Sequence, residues 1–204
     1  IEYDASIPIE EKRAKMLEWW KRHYELLKES GMSKQVLDRL TENERGNFRE
    51  GVNRFLGMLR DNKIPVVIFS SSGIGNTIPM FLEKEGLLHE NISVLSNELL
   101  FDENGKMTGV KEPIIHSYNK NEISIVNVAN YKDIESRRDV ILVGDTLGDV
   151  GMTEGFNYDE IIRIGFLSED IEKHLEDYKK AYDIVILDDG NMDYINDLMR
   201  KILS

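Results

Sequence analysis

The chain has 204 residues, a formal net charge of -12 and no cysteine. This length suits one domain with a full core and a small accessory lobe, and the missing cysteines exclude disulfides and a thiol nucleophile. The acidic charge disfavours a nucleic-acid polymer as partner, because binding a polyanion requires a basic surface. No segment is apolar and long enough to cross a membrane, and no signal peptide is visible, which favours a cytoplasmic protein with no membrane partner.

The first part of the chain has a helical pattern. Residues 8–30 are predicted as a helix, since a proline suits its start, two glutamates follow, and Gly31 stands after its end. A second helix is predicted over 33–40 and a third over 44–62. We expect residues 1–62 to form a helical cap lobe whose last helix returns to the core.

Beyond this lobe, short β-branched runs alternate with amphipathic segments. Continuous apolar runs are typical of strands buried on both faces of a parallel sheet, and the segments between them are predicted as crossover helices. A strand-turn-strand pattern over 99–110 predicts a hairpin. Residues 63–204 are therefore predicted to form an α/β core with a doubly wound parallel sheet. The predicted strands cover residues 66–69, 92–95, 140–143, 161–166 and 184–187.

Ligands of such sheets bind beyond the carboxyl ends of the strands. The strand at 66–69 leads into Ser70, Ser71, Ser72 and Gly73 ahead of a helix. Exposed N–H groups at a helix start, together with a hydroxyl, can cradle a phosphate. The alternative interpretation is a Ser/Gly turn that only caps the helix.

Two aspartates, Asp145 and Asp149, follow the strand at 140–143. Two acids at one strand end repel each other unless a cation lies between them, and Mg²⁺ prefers oxygen ligands. The alternative is an aspartate that caps a helix. Elsewhere Lys120 follows an asparagine, although a lysine by itself is usually a solvated surface charge.

The order of these residues resembles that of the haloacid dehalogenase superfamily. Ser70, Lys120 and the pair Gly144 and Asp145 stand where its second, third and fourth motifs stand. Over nearly all of the chain the resemblance is closer, to cytosolic 5'-nucleotidase III, the pyrimidine 5'-nucleotidase family. The segments that carry it are 10–12, 16–20, 64–66, 69–70, 73–75, 119–120, 144–149, 164–167 and 182–185.

This resemblance implies a phosphomonoesterase that hydrolyses nucleoside 5'-monophosphates. Ser70, or Ser71 as the alternative, would hydrogen-bond to the substrate phosphate, helped by backbone N–H groups near Gly73. Lys120 would neutralise charge on the phosphate and the nucleophile in the transition state.

The resemblance also implies a metal site and a base site. Asp145 would bind Mg²⁺, and Asp149 would support the metal site or orient the lysine. Glu18 would accept a hydrogen bond from the base, and the neighbouring Trp19 is a candidate for stacking on it. For Glu18 and Trp19, the alternative is an ordinary exposed helix face.

The superfamily's first motif, Asp-x-Asp at the end of the first strand, is absent from the 204 residues. Its first aspartate is the nucleophile that forms an aspartyl-phosphate, and its second is the general acid and base. Since this motif precedes the helical lobe in the family, we expect the chain to start after the nucleophile strand, as part of a longer protein or a shortened relative. The serine turn at 70–73 is also one residue longer than the Ser-Ala-Gly turn of the family.

Two alternative functions follow from these departures. The first is a catalytically incomplete module that binds a nucleotide or phosphate. The second is a haloacid dehalogenase-like phosphatase for a non-nucleotide phosphate. Neither the preferred base nor the oligomeric state follows from the residues.

Overall fold

The computed structural model describes residues 7–44, 46–120, 131–154 and 156–204. The chain divides into two compact units, each built from separate stretches. The first unit contains residues 1–46, 67–88 and 94–124, and the second contains 47–66, 89–93 and 125–204. Because compactness alone does not define a functional domain, the division into a lobe over 1–62 and a core over 63–204 stays a prediction.

Helices and strands alternate through most of the described chain. The helices are α1 (Ile9–Glu29), α2 (Lys34–Asn43), α3 (Val52–Asp61), α4 (Thr77–Lys84), α5 (Tyr131–Glu135), α6 (Ile171–Ala181) and α7 (Asp193–Ile202), with a 3₁₀ helix at Leu147–Thr153. The strands are β1 (Val66–Phe69), β2 (Ile92–Leu95), β3 (Leu99–Phe101), β4 (Met107–Val110), β5 (Asp139–Gly144), β6 (Glu160–Leu167) and β7 (Ile184–Leu187). Within the described ranges, no helix has both the length and the apolar character that a bilayer span requires.

Local sequence signals accompany both ends of α1 and the start of α2. Pro8 stands immediately before α1 rather than in its first position, and Gly31 beyond the end adopts a positive φ of 84°. The Ser33 hydroxyl accepts a hydrogen bond from the Val36 N–H at 3.4 Å, which caps α2. Helix α2 continues to Asn43, beyond its predicted end at residue 40.

Helix α3 begins later than its sequence pattern predicts. The prediction covered residues 44–62, but regular helix starts at Val52, and the described residues at 46–49 lie outside any helix. Gly51 takes a left-handed conformation with a φ of 86° directly before the helix. This conformation interrupts a helix, and glycine adopts it without a Cβ clash.

The sheets follow the strand predictions closely. β5, β6 and β7 form a parallel sheet in that order, with Gly144 opposite Gly165 at the end of β5. β1 pairs with β2, and its hydrogen bonds advance in the parallel sense, from Val66 to Asn91 and from Ser70 to Leu95. β3 and β4 form the predicted antiparallel hairpin. The residues after β1 and β5 therefore leave from the carboxyl ends of parallel strands.

Each unit has its own apolar core. In the first unit, Tyr24 of α1 packs with buried residues of the hairpin and the segment after it: Leu99, Met107 and Ile114. In the second unit, α3 and α7 pack with the inner strands through Leu59, Ile164, Phe166, Met192, Ile195 and Met199. A further cluster joins β5 and β6 to α6 through Leu142, Leu167, Tyr178 and Tyr182.

Two glycines near the start and middle of α3 should respond to alanine in opposite directions. Gly51→Ala should lower the free energy of unfolding by about 1–2 kcal/mol or more, because a left-handed residue gains a Cβ, here 3.0 Å from Asn196 Nδ2. Gly57→Ala should raise it by roughly 0.5–1 kcal/mol, since nothing lies within 4 Å of the added carbon. Urea unfolding measures the free energy of unfolding of both variants. Changes of the same sign and size would contradict the backbone conformations assigned to Gly51 and Gly57.

Candidate functional site

The serine loop, residues 70–75, leaves the sheet at the end of β1. The Ser70 N–H makes the last hydrogen bond to β2, donating to the Leu95 carbonyl at 2.8 Å. The Ser70 hydroxyl then accepts from the Ser72 N–H at 3.1 Å, and the Ser72 hydroxyl accepts from the Ile74 N–H at 3.4 Å. A hydroxyl that accepts such a bond still has its own hydrogen to donate. The loop can therefore present serine O–H groups to an anion.

Two glycines let other segments approach the serine loop. A Cβ on Gly73 would lie 2.7 Å from Nε2 of His23, and a Cβ on Gly75 would collide with the carbonyl oxygen of Asn97. Neither approach leaves room for a larger residue. The glycines of this turn thus serve close packing by α1 and by the segment after β2.

Lys120 lies beside the start of this loop. Its side chain is almost buried, with 8% exposed, and its Nζ is 3.5 Å from the carbonyl oxygen of Phe69, the residue before Ser70. The preceding Asn119 accepts from the His116 N–H and donates to the Ile114 carbonyl, both at 2.8 Å. The structure therefore brings together Ser70 and Lys120, which sequence order alone had associated.

Asn97 connects the serine loop to the segment that carries Lys120. Its side chain is 1% exposed. Its Nδ2 donates to the Ser72 carbonyl at 3.2 Å and to the Ile115 carbonyl at 2.9 Å, while its Oδ1 accepts from the Ile115 N–H at 2.7 Å. One amide side chain thus holds backbone groups of both segments.

Helix α1 contributes an aromatic cluster to the same unit. Trp19 is 57% exposed and stacks in parallel on His23, with ring centroids 5.4 Å apart. Trp20 meets His23 edge-on at 5.2 Å and stacks on Tyr24 at 5.6 Å. Since His23 lies against Gly73, these rings extend from the serine loop to the exposed helix surface that also carries Glu18.

Helix α1 also contacts the segment before Lys120. Arg13 Nε donates to the Tyr118 carbonyl at 2.9 Å, and Lys12 Nζ lies 5.8 Å from the centre of the Tyr118 ring. This segment is therefore held by the helix as well as by Asn97 and Asn119.

In the second unit, Asp149 stabilises the loop that follows β5. Its Oδ2 accepts from the N–H groups of Asp145 and Thr146, both at 3.0 Å. The Asp149 side chain is buried, with 2% exposed, and belongs to a capping box at the start of the 3₁₀ helix. The Asp145 residue is exposed. Thr146 is the N-cap of this helix and Asp149 its N3 residue, so neither aspartate is the capping residue itself. The metal roles of both aspartates stay predictions.

Two tyrosines hold the carbonyl groups of the same loop. The Tyr178 hydroxyl donates to the Asp145 carbonyl at 2.6 Å, and the Tyr182 hydroxyl donates to the Thr146 carbonyl. Their rings stack with centroids 5.5 Å apart. A Cβ on Gly144 would lie 2.8 Å from the Tyr182 hydroxyl, so glycine is needed where the strand exits. Asp145 and Thr146 are thus held by the tyrosines through their carbonyls and by Asp149 through their N–H groups.

The surroundings keep the Tyr182 hydroxyl protonated. Burial raises the pKa of this hydroxyl strongly, and the nearby charges of Asp149, Tyr178 and Asp145 raise the pKa further. A protonated phenol donates a hydrogen bond, whereas a phenolate only accepts. The bond to Thr146 therefore persists across the neutral and mildly alkaline range.

The chemistry of the residues near Asp145 fits a hard cation. Carboxylate oxygens are the ligands that Mg²⁺ prefers, and this ion keeps several waters alongside one or two carboxylates. Among the residues whose placement is described, histidine and acidic side chains do not form a group of three that could hold a metal. The described side chains alone therefore do not complete a metal site around Asp145.

Sequence reasoning missed several residues that shape these loops. Asn97 stands in a turn, and its long-range partners leave no local pattern. His23 stands at no spacing typical of metal ligands, and it packs beside Gly73. Tyr178 lies in α6, and Tyr182 follows the end of this helix four positions later along the chain. That spacing could have indicated the pair, but not its carbonyl partners.

A family model and several known proteins match this chain. The model of the pyrimidine 5'-nucleotidase (UMPH-1) family covers residues 1–203. The chain belongs to the pyrimidine 5'-nucleotidase family. The resemblance drawn from the motifs is thereby confirmed, as is the enzyme class of 5'-nucleotidase at the level of the family.

Individual 5'-nucleotidases also resemble this chain in sequence and in structure. The 7-methylguanosine phosphate-specific 5'-nucleotidase A of Xenopus laevis is 36% identical over 205 residues, which cover 100% of this chain and 70% of that protein. Its Homo sapiens counterpart is 35% identical over 204 residues, covering 100% and 68%. The crystal structure of cytosolic 5'-nucleotidase IIIB bound to cytidine matches with a TM-score of 0.81 at 30% identity, over 98% of this chain and 68% of that one. This match confirms the predicted haloacid dehalogenase-like α/β fold.

The bond from Tyr182 should contribute stability that alkali removes. At neutral pH, Tyr182→Phe should lower the free energy of unfolding by roughly 1–2 kcal/mol, because the Thr146 carbonyl loses its donor. The folded pKa is raised above the unfolded value of about 10, so this stability is present below pH 10 and declines as pH rises further. The difference in free energy of unfolding between wild type and Tyr182→Phe should therefore become smaller between about pH 9 and pH 11.

Urea unfolding across this pH range tests the contribution of Tyr182. Tyr194→Phe is the control, because that tyrosine is 56% exposed, and it should change stability by less than about 0.5 kcal/mol at each pH. A gap that stays constant with pH would contradict the raised pKa.

Proposed function

We propose that this protein is a Mg²⁺-dependent phosphomonoesterase that hydrolyses nucleoside 5'-monophosphates through an aspartyl-phosphate. Family membership supports the reaction class. The single observation that carries the proposal is the nearly buried Lys120 ammonium beside the strand end that leads to Ser70. A cation held beside a strand end that leads into serine hydroxyls suits the charge of a phosphoryl group.

In this proposal each residue of the first unit has one task. Ser70, with Ser71 as the alternative, donates its hydroxyl to a phosphoryl oxygen, and the N–H groups near Gly73 assist. Lys120 stabilises the negative charge that develops on the phosphoryl oxygens. Glu18 accepts a hydrogen bond from the base, and Trp19 offers an exposed ring face for stacking.

The proposed metal site is formed around Asp145. Asp145 would ligate Mg²⁺, while Asp149 would fix the loop that carries Asp145. When bound, the ion would supply charge neutralisation for the phosphoryl group. The capping role of Asp149 is compatible with a role in supporting the metal site.

The proposed nucleophile is an aspartate outside these 204 residues, because the printed sequence contains no Asp-x-Asp. The same observation favours a second candidate function, a module that binds a nucleotide or phosphate without hydrolysing it. A haloacid dehalogenase-like phosphatase for a non-nucleotide phosphate would instead turn over sugar or amino-acid phosphates in preference to nucleotides. The relative of known structure is called cytosolic, which supports the proposed cytoplasmic location.

The direct test measures phosphate release from CMP, UMP, GMP and 7-methyl-GMP by the full-length protein, with Mg²⁺ or with a chelator. Hydrolysis should require Mg²⁺, and Lys120→Met and Asp145→Asn should each lower kcat by about 10²-fold or more. Lys132→Met, at an exposed lysine, is the control and should remain active. Phosphate binding without release would support the binding module, and faster release from sugar phosphates would support the other phosphatase.

The role of Glu18 can be separated from the chemistry. Glu18→Ala should change kcat/KM among nucleotides by about tenfold, because a missing hydrogen bond to the base costs roughly 1–2 kcal/mol. Hydrolysis of para-nitrophenyl phosphate, which has no base, should be unchanged. Glu25→Ala, at another exposed glutamate of α1, is the matched control. Equal losses on both kinds of substrate would remove Glu18 from base recognition.

A further inference from the structure

We infer that Asn97 is a positioning residue that fixes Lys120 relative to the serine loop. Its consequence for catalysis rests on the proposed function, whereas its consequence for phosphate binding does not. All three hydrogen bonds of the Asn97 side chain go to backbone groups of the two segments. None of them goes to a side chain that we propose to bind substrate.

The Asn97 side chain bonds to both segments at once. Asn97 donates to Ser72 on one side, and on the other it both donates to and accepts from Ile115. The paired bonds to Ile115 fix the orientation of the amide plane, so the Nδ2–H that remains is directed at Ser72. A shift of either segment would break at least one of these buried bonds, which are costly to leave unmade.

The segment between Ile115 and Lys120 transmits this constraint. Asn119 closes a tight turn by bonding to His116 and Ile114, so residues 114–119 are held together by side-chain amide bonds. Lys120 follows this turn directly. Together with the bond from Arg13 to the Tyr118 carbonyl, the position of Ile115 therefore bears on where Lys120 lies. Asn97 holds Ile115 relative to the serine loop.

A role in folding alone is the competing explanation, and a matched residue separates the two. Asn196 is fully buried in the second unit and donates to the Gly51 carbonyl at 3.1 Å. Asn196→Ala removes a buried amide from a part of the chain to which we assign no substrate contact. It should lower stability without changing kcat, KM or phosphate affinity.

Steady-state kinetics on the preferred nucleotide form the first test. Asn97→Ala should lower kcat by about tenfold or more, since small displacements of a charged group weaken transition-state stabilisation. In a Lys120→Met background the same change should lower kcat by less than about threefold, because residues that act together are not additive. Additive losses would mean that Asn97 does not act through the lysine and would overturn the inference.

The pH dependence of Asn97→Asp supplies a second test that tolerates a folding defect. The introduced carboxyl faces the carbonyls of Ser72 and Ile115, so its ionised form cannot donate and is repelled. Burial should raise its pKa, and protonation at low pH restores a donor. The activity of Asn97→Asp relative to wild type should rise by about threefold or more from pH 8 to pH 5.5, whereas the ratio for Asn97→Ala should stay flat. If the activity ratios of Asn97→Asp and Asn97→Ala to wild type change with pH in the same way, the inference is overturned.

Titration calorimetry with inorganic phosphate separates this inference from the proposed function. Phosphate affinity should fall by about fivefold or more in Asn97→Ala and stay unchanged in Asn196→Ala. If wild type binds phosphate but hydrolyses no nucleotide, the proposed function fails and the affinity ratio alone decides the inference. If wild type is active and both alanine variants behave alike, the inference is overturned and the function stands. If wild type neither binds nor hydrolyses, both are overturned.

Discussion

Both strand-end loops depend on side chains to satisfy backbone groups that leave the sheet. Peptide groups that are buried without a partner cost as much as a lost hydrogen bond, so irregular loops need donors and acceptors from elsewhere. In the first unit the Asn97 amide donates hydrogen bonds to the carbonyls of Ser72 and Ile115. In the second unit the N–H and carbonyl groups of Asp145 and Thr146 form hydrogen bonds with the side chains of Asp149, Tyr178 and Tyr182. These bonds fix loop conformations that have no repeating secondary structure, and every candidate role of Ser70, Lys120 and Asp145 depends on them.

The same bonds change the electrostatic argument for the two aspartates. Two acids at one strand end repel each other, and a cation between them is one remedy. Here the Asp149 carboxylate accepts from two N–H groups, which stabilise its charge without any ion. Repulsion alone therefore does not require a metal at this position. The case for Mg²⁺ rests on the exposed Asp145, on the preference of the ion for carboxylate oxygen, and on the family resemblance.

The parts of the fold that could be predicted are those that local sequence determines. Apolar runs located β1, β2, β5, β6 and β7, and the turn pattern located the β3–β4 hairpin, because burial on a sheet requires such residues next to one another. The predicted start of α3 was too early, because Gly51 adopts a left-handed conformation that ends any helix before it, despite the helical spacing of the apolar residues. Ser70 and Lys120 were found through their order along the chain. Asn97 and Tyr182 were not, because their function is set by partners many residues away, and a sequence pattern does not record such partners.

The acidic character of the chain does not conflict with a phosphate ligand. At physiological ionic strength the Debye length is about 8 Å, so exposed acids spread over the surface are largely screened from one another and from a ligand. Lys120 is almost buried, and charges shielded from water are screened much less. In the proposed site, the field that a phosphate would meet is therefore set by the lysine and by the donors of the serine loop rather than by the net charge. Because that field comes from so few groups, its strength depends on how accurately they are held, which makes the buried amide of Asn97 as consequential as the charge that it positions.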